Sequence, residues 1–267
     1  MSTNDFMVKH FRPSAKPEIQ ARNSPSALRR LKQGLGRLLI PKLPVTRRLF
    51  ETVRRELNCA WVRLNNVVNP LYVHRRKRLR MGTGISVNIG CGPCGRDGWV
   101  NLDLMKMPKV SLRYDCRRGL PLANLSVKRI RCEHFLEHLD FHAEAPRLLS
   151  DCFRVLEEGG TLRIVVPDVA SYMRAYCSGE RRDWLALGSD PDNLPGDLVT
   201  RIGVINHVFH QGGEHLYGYD FETLATCLRS AGFSGVELSS FGNAIDPELR
   251  DDALNHRPYS LYVDAVK

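Results

Sequence analysis

The chain predicts an α/β protein: a doubly wound, mostly parallel seven-stranded sheet behind a basic helical N-terminal extension. Three observations carry that expectation. The apolar run Val87-Asn88-Ile89 ends abruptly in Gly90-Cys91-Gly92-Pro93, the pattern of a buried strand opening into a tight turn where glycines permit positive φ and close approach of a ligand. From residue 85 onward strand-like and helix-like segments alternate, as in parallel strands joined by crossovers. Charge is also divided: residues 1–82 hold 19 Lys/Arg against 4 Asp/Glu, a net of +15, whereas 83–267 carry a net of −5.

The basic part is expected to hold two pieces. Residues 1–24 are polar, with Pro13 and Pro17, and read as a disordered arm. Residues 25–82 read as a basic amphipathic helical extension. Leu28, Leu31, Leu35, Leu38 and Leu39 fall at helical spacing between arginines and lysines, and Pro41 and Pro44 end that segment. A second helix is expected from about Thr46 to Val68, with Leu49, Val53, Leu57, Trp61, Leu64 and Val68 along one face. Asn69-Pro70 reads as its stop, and Arg75-Arg76-Lys77-Arg78 as the lead into the main domain. The apolar faces are expected to dock on the sheet domain or on each other. A basic amphipathic pair also suits an anionic membrane surface, nucleic acid or an acidic partner, and an Arg-rich, acid-poor start is compatible with a transit peptide.

The 267 residues suffice for one large domain with an appendage. No apolar run approaches the roughly 18 residues that span a bilayer, and the start lacks the apolar core of a secretory signal. Eight cysteines without a paired framework read as reduced thiols, hence a cytoplasmic protein whose membrane contact, if it has one, is peripheral.

Within the main domain, 83–267, strands are expected at 85–90, 99–103, 109–114, 127–132 and 161–166, then near 235–240 and 259–266. Helices are expected at 143–157, 169–177 and 220–231, with Gly159-Gly160 turning the chain into the fifth strand. Antiparallel pairing is allowed for at the end of the sheet. Residues 178–218 are loop-rich and read as an insertion that binds a substrate.

The ligand class follows from one spacing. Asp103 ends the second strand eleven residues after Gly92, and a carboxylate there can accept both hydroxyls of a ribose. A dinucleotide site needs a helix directly after the glycine turn to hold the pyrophosphate, and its ribose acid lies about 20 residues on. Pro93–Gly98 offers six residues, too few for a helical crossover of at least 10–12 but able to span about 20 Å extended. S-adenosylmethionine carries adenine and ribose without phosphate and tolerates the missing anion cradle.

With these residues in place, the chain resembles the class I S-adenosylmethionine-dependent methyltransferases, in particular the type 11-like members with a compact strand–glycine turn–strand start. The resemblance is close over 85–178 and looser over 204–266. Val87–Gly92 is similar to the family's first motif, and Asp103 to its ribose-binding acid. Asp115-Cys116 resembles the adenine-side loop after the third strand. Gly119-Leu120-Pro121-Leu122 and Cys132–Leu139 resemble segments around the fourth strand, and Glu157–Leu162 the turn into the fifth. The resemblance implies a Rossmann-like fold with S-adenosylmethionine as cofactor, contacted by Asn88, Gly90, Cys91, Gly92, Asp103, Leu104, Asp115, Cys116 and His134. Asn88 stands where many members carry an acid, so a carboxylate for the cofactor's amino group must come from elsewhere. The short first crossover leaves one side of the site open or covered by the N-terminal extension.

Other motifs compete. Cys91-Gly92-Pro93-Cys94 matches a redox dithiol, but Gly95 and Gly98 follow, so the helix that activates such thiols is missing. His134-x-x-Glu137-His138 matches an inverted zinc-protease pattern but directly follows a strand and lacks a third ligand on a suitable helix. His207, His210, Glu214 and His215 form a dense cluster without a known ligand spacing, so no metal site is expected. That cluster reads as a loop over the acceptor, with His215 and His138 as candidate bases. Asp168 is a further catalytic candidate, with helix capping as its alternative role. The expected reaction is in-line methyl transfer to an oxygen or nitrogen of a small molecule or glycan. An RNA methyltransferase using the basic arm, a non-catalytic cofactor-binding protein and a membrane-peripheral protein stay open.

Overall fold

A computed structural model describes residues 46–194 and 198–267. The expected arm and first amphipathic helix lie outside the described residues. Helix α1 (Arg47–Val68) is the first described element.

Asn69-Pro70 does not end helical structure. Asn69 caps a new helix, α2 (Pro70–Met81), by accepting from Leu71 N, and Pro70 sits at the first turn, where no amide is needed. The Arg75–Arg78 run therefore lies on a helix. The sheet follows with β1 (Ile85–Ile89), β2 (Val100–Asp103), β3 (Leu112–Arg113) and β4 (Val127–Glu133). After α3 (Glu144–Val155) come β5 (Leu156–Pro167) and the helices α4 (Val169–Ser178), α5 (Arg181–Ala186), α6 (Arg201–His210) and α7 (Phe221–Ser230). The chain ends with β6 (Gly235–Ser239) and β7 (Ser260–Val266).

The seven strands lie in the order β3-β2-β1-β4-β5-β7-β6. The first five are parallel, and β7 runs antiparallel between β5 and β6. This is a Rossmann-like doubly wound sheet. Its direction of winding reverses between β1 and β4, and ligands bind such sheets in the crevice outside the carboxyl ends at that reversal. The link from β1 to β2 contains no helix, as its length dictates.

The two sides of the sheet differ in chemistry. Val87, Ile89, Leu102, Ile130, Cys132, Ile164 and Val263 point to one side and pack with Leu148 and Cys152 of α3 and Leu228 of α7. The alternate residues of the same strands are polar and equally buried: Asn88, Asn101, Arg131, Arg163 and Asp264. Here the 240–259 connection supplies Asp252, which takes both Arg163 Nε (2.8 Å) and a terminal nitrogen (2.6 Å), while Asp264 takes the other at 2.7 Å. Arg163 is 0% exposed. A dry guanidinium persists only when paired in this way.

The 178–218 segment is less loop-like than its composition suggests. With α4 it builds a separate apolar cluster around the fully buried Trp184, joined by Tyr172, Ala175, Val204, Ile205 and Val208.

The apolar face expected on α1 does not dock on the sheet domain; its alternative partner, the first amphipathic helix, lies outside the described residues. Leu57, Trp61, Leu64 and Val68 are exposed, Trp61 by 60%, while Cys59, Val62 and Asn66 face inward. Polar anchors decide the orientation. Asn66 Nδ2 donates to Arg113 O on β3 (2.9 Å), Arg113 donates to Asn58 (3.1 Å), and Arg63 pairs with Asp115. Among the described residues no helix is long and apolar enough to cross a membrane.

Candidate functional site

The turn after β1 is shaped by two glycines with positive φ, Gly90 (62°) and Gly92 (48°). Gly90 N donates to Leu102 O of the neighbouring strand (2.9 Å). A Cβ on Gly90 would stand 2.4 Å from the Phe135 ring, whereas one on Gly92 would meet nothing within 4 Å. Gly90 thus permits close packing, and Gly92 borders open space. Gly92 N donates to Asp103 Oδ2 at 2.8 Å and Met105 N to Oδ1 at 2.6 Å. A carboxylate offers about four lone-pair sites, so Asp103 is held rigidly and still has acceptors for a diol. Asn88, buried beneath, ties the turn to β2 through Cys94 O (3.2 Å) and Asn101 Oδ1 (3.3 Å).

Beside Asp103 lies a cavity of about 120 Å3 bordered by Leu104, Tyr114, Cys116, Phe135 and Leu139, with Arg55 and Cys59 of α1 closing it. Sites that enclose small ligands measure roughly 300–1,000 Å3, so in this closed form it accommodates part of a nucleoside. Asp115 does not present a free carboxylate there. Arg63 reaches Oδ2 at 2.6 Å, and Arg117 Nε reaches Oδ1 at 2.9 Å. Burial opposes ionisation of Asp115, and the two guanidiniums overcome it, holding its carboxyl below the usual range. The Asp115 carboxylate is thus committed to anchoring α1, while the residue itself borders the cavity. Cys116 is buried and its thiol is pushed up by burial, so it serves as a wall.

On the polar side of the sheet a basin of about 890 Å3 opens from the same turn, lined by Gly90, Gly92, Asn88, Arg131, Glu133 and His134 among others. Gly90 borders both spaces. Glu133 is a buried carboxylate on this side, engaged by Arg131, His256 and the Ala253 amide. Burial works against its charge, but His256 Nδ1 (3.1 Å) and Arg131 bring its pKa down to about 2. The dithiol reading fails here as well: Cys91 is buried and raised to about 12, the reverse of an activated thiol.

A third cavity, of about 400 Å3, lies beyond the ends of β4 and β5 and is rich in histidine: His134, His138, His207, His215 and His256 all line it, with Glu137 and Tyr172. Leu216 N (2.8 Å) and Tyr217 N (3.3 Å) both donate to Glu137 O. That seam brings His215 beside His138, ring centroids 5.0 Å apart. His138 Nδ1 meets Glu214 O at 3.0 Å and His215 Nδ1 meets Val208 O at 2.6 Å. A carbonyl only accepts, so each Nδ1 carries the hydrogen, and in the neutral ring the lone pair is on Nε2. Burial also lowers the His215 pKa, against the pull of the Val208 carbonyl and Glu137. His134, at φ 48°, joins the two larger cavities, with Nε2 2.9 Å from Ser260 Oγ.

Asp168 stands apart from this group. Its carboxylate caps α4 through Ser171 N (3.2 Å) and the Ser171 hydroxyl, and the cavity is bordered by Pro167 instead. The structure thus gathers Gly90, Gly92 and Asp103 at one place and His134, His138 and His215 at another. The contributions of Phe135, Glu133, His256 and the α1 arginines were not visible in the sequence. The alternation Arg129-x-Arg131-x-Glu133 on a single strand was the one local signal of a polar side.

No protein-family model matches the chain, and no curated protein matches it. Among solved structures, it is similar to a SAM-dependent methyltransferase from Archaeoglobus fulgidus, at 17% identity over 73% of this chain and 91% of the other, with a TM-score of 0.42. A second, from Mesorhizobium loti, gives 17% identity, 73% and 97% coverage and a TM-score of 0.42. A third is the Burkholderia thailandensis 1,6-didemethyltoxoflavin-N1-methyltransferase, solved with 1,6-didemethyltoxoflavin and S-adenosylhomocysteine, at 14% identity, 81% and 89% coverage and a TM-score of 0.42. Likeness of this degree assigns neither activity nor ligand to this chain.

Proposed function

We propose that this chain transfers a methyl group from S-adenosylmethionine to an oxygen or nitrogen of a small molecule or glycan. The observation that supports the reading best is the Gly92–Asp103 hydrogen bond of 2.8 Å at the winding reversal of the sheet. It joins bare main chain to a fixed carboxylate with spare acceptors, the combination an adenosine needs. The residues present fit the cofactor: Asp103 would hold the ribose hydroxyls, Leu104 and Cys116 would flank the base, and the Gly90–Gly92 turn would pass beneath the remainder. Bound there, the cofactor supplies an electrophilic methyl on a sulfonium. The protein aligns the acceptor and holds its proton. The 400 Å3 cavity suits the acceptor, with His138 and His215 in its lining as the candidate bases.

Calorimetric titration of the full chain with S-adenosylhomocysteine tests the cofactor half. Saturable binding that falls at least tenfold in Asp103→Ala is the expected result; equal affinity in the two proteins overturns it.

A second reading concerns location. Leu57, Trp61, Leu64 and Val68 form an exposed apolar row on α1, and α2 adds five Lys/Arg between Arg75 and Arg80. Such a pairing of apolar row and basic charge suits the surface of an anionic bilayer. Sedimentation with phosphatidylserine vesicles is expected, together with its loss in Trp61→Glu and at high salt. No sedimentation with those vesicles removes this reading.

A further inference from the structure

The histidine cavity contains a group that methyl transfer by itself does not explain. Glu137 is 1% exposed, and neither of its carboxylate oxygens has a hydrogen-bond partner. His134 Nδ1 approaches Oε1 to 3.1 Å, but outside hydrogen-bond geometry. A dry, unpartnered carboxylate is among the costliest groups a fold can hold, and it calls for a cation or a proton.

Its neighbours favour a cation. One ligand atom from each of Glu137, His138 and His215 lies within 4.8 Å of those of the other two. Ligands of one first-row cation stand at about 2.0–2.2 Å from it, hence up to roughly 4 Å apart, a difference that small side-chain rotations close. Both imidazoles are also prepared as ligands. Each donates its Nδ1 hydrogen to a main-chain carbonyl, of Glu214 and of Val208. That second hydrogen bond is what fixes the tautomer and aim of metal-bound histidines. The set holds two imidazoles and one carboxylate, which suits zinc, manganese, iron or cobalt better than calcium or magnesium.

We infer that Glu137, His138 and His215 form a binding site for one divalent first-row transition cation in the floor of the acceptor cavity. This differs from the metal-free expectation drawn from sequence, because His215 lies 77 residues from His138 in the chain and no spacing rule connects them. It also differs from the His134-x-x-Glu137-His138 pattern: His134 bridges Glu137 through Nδ1 and Ser260 through Nε2, and it is His215 that joins Glu137 and His138. Three protein ligands leave coordination positions open to the cavity. If the cavity receives the acceptor, as proposed above, an acceptor oxygen would occupy one of them, and a hydroxyl on a cation gives up its proton to solvent more readily. The cation then replaces the two imidazoles as the means of deprotonation, since a metal-bound Nε2 has no lone pair left to offer.

The experiment uses the full chain, stripped with a chelator and dialysed, then titrated with Co2+ and separately with Zn2+. Expected are one cation per chain, visible d–d absorption for Co2+ of a low-symmetry site, and a rise in Tm with Zn2+. Glu137→Gln and His215→Ala should each weaken binding at least tenfold, while His142→Ala, an exposed histidine elsewhere, should leave it unchanged. A cooperative thermal melt of metal-free Glu137→Gln shows that the variant folds. S-adenosylhomocysteine affinity, measured on the same samples, reports on the cofactor site alone and should not change. Absence of stoichiometric binding, or equal binding by Glu137→Gln, overturns the metal site and identifies Glu137 as one half of a His–Glu pair only. Loss of S-adenosylhomocysteine binding in the unaltered chain would instead defeat the methyl-transfer reading and leave the metal result standing.

Discussion

The main-chain amide of Gly92 donates to the carboxylate of Asp103 across 2.8 Å, so the turn that leaves β1 and the acid that ends β2 behave as one unit. Removing the acid therefore releases the turn.

Asp103→Ala is therefore expected to lose both the diol acceptor and the strut beneath the turn. Hydrogen bonds to a charged group contribute about 1.5–3 kcal/mol each, so S-adenosylhomocysteine affinity should fall about ten- to a hundredfold by calorimetry. Far-UV circular dichroism should stay unchanged, because β2 is paired on both sides.

The two glycines should differ in severity. Gly90→Val adds a left-handed backbone penalty to a collision with Phe135 at 2.4 Å, for a combined cost of about 3 kcal/mol or more. Gly92→Ala meets open space and carries only the backbone cost, about 1–2 kcal/mol. Urea denaturation of both variants measures the gap, and equal costs would contradict the packing described for Phe135.

Arg163→Met leaves Asp252 and Asp264 facing each other without their shared cation. Removing one partner of a buried ion set costs about 3–5 kcal/mol, a large share of total stability. A fall in Tm of ten degrees or more, or insoluble expression, is expected.

Acid should destabilise the fold through Glu133. Its folded pKa, about 2, lies below the ordinary carboxylate value of 4.5. The stabilisation is thus complete above about pH 4.5 and is lost as pH falls toward 2, at most about 3 kcal/mol. Glu133→Gln should flatten the pH dependence of Tm within that window, and an unchanged slope would mean that Arg131 and His256 do not support the charge.

Much of the sheet and its glycine turn is legible in the amino-acid sequence. Counting residues from Gly92 to Asp103 is enough to exclude a helical crossover, since chain reach is fixed by covalent geometry. The seven strands appear near where apolar alternation places them, although β3 shrinks to Leu112–Arg113 and β5 starts at Leu156, taking the expected Gly159-Gly160 turn into the strand. What local pattern could not resolve is direction. Both sides of α1 carry apolar residues, and the choice of Cys59 and Val62 over Leu57 and Trp61 as the inner side rests on Asn66 and Arg63 meeting partners 47 and 52 residues away. The same holds for Asp115, which reads as a ligand-facing acid until its arginines are known. Asn69-Pro70 illustrates a local ambiguity, because a proline that cannot continue one helix is well suited to begin the next.

The cluster around Trp184 packs separately from the apolar layer behind the sheet, and the histidine cavity draws on both: Glu137 and His138 follow β4, whereas His215 leans on Val208 of α6. Proteins open first along the borders between such independently packed regions. Mild heating or low denaturant should accordingly spread the imidazoles apart while the glycine turn and its acid stay seated, so acceptor turnover would fade before nucleoside affinity does.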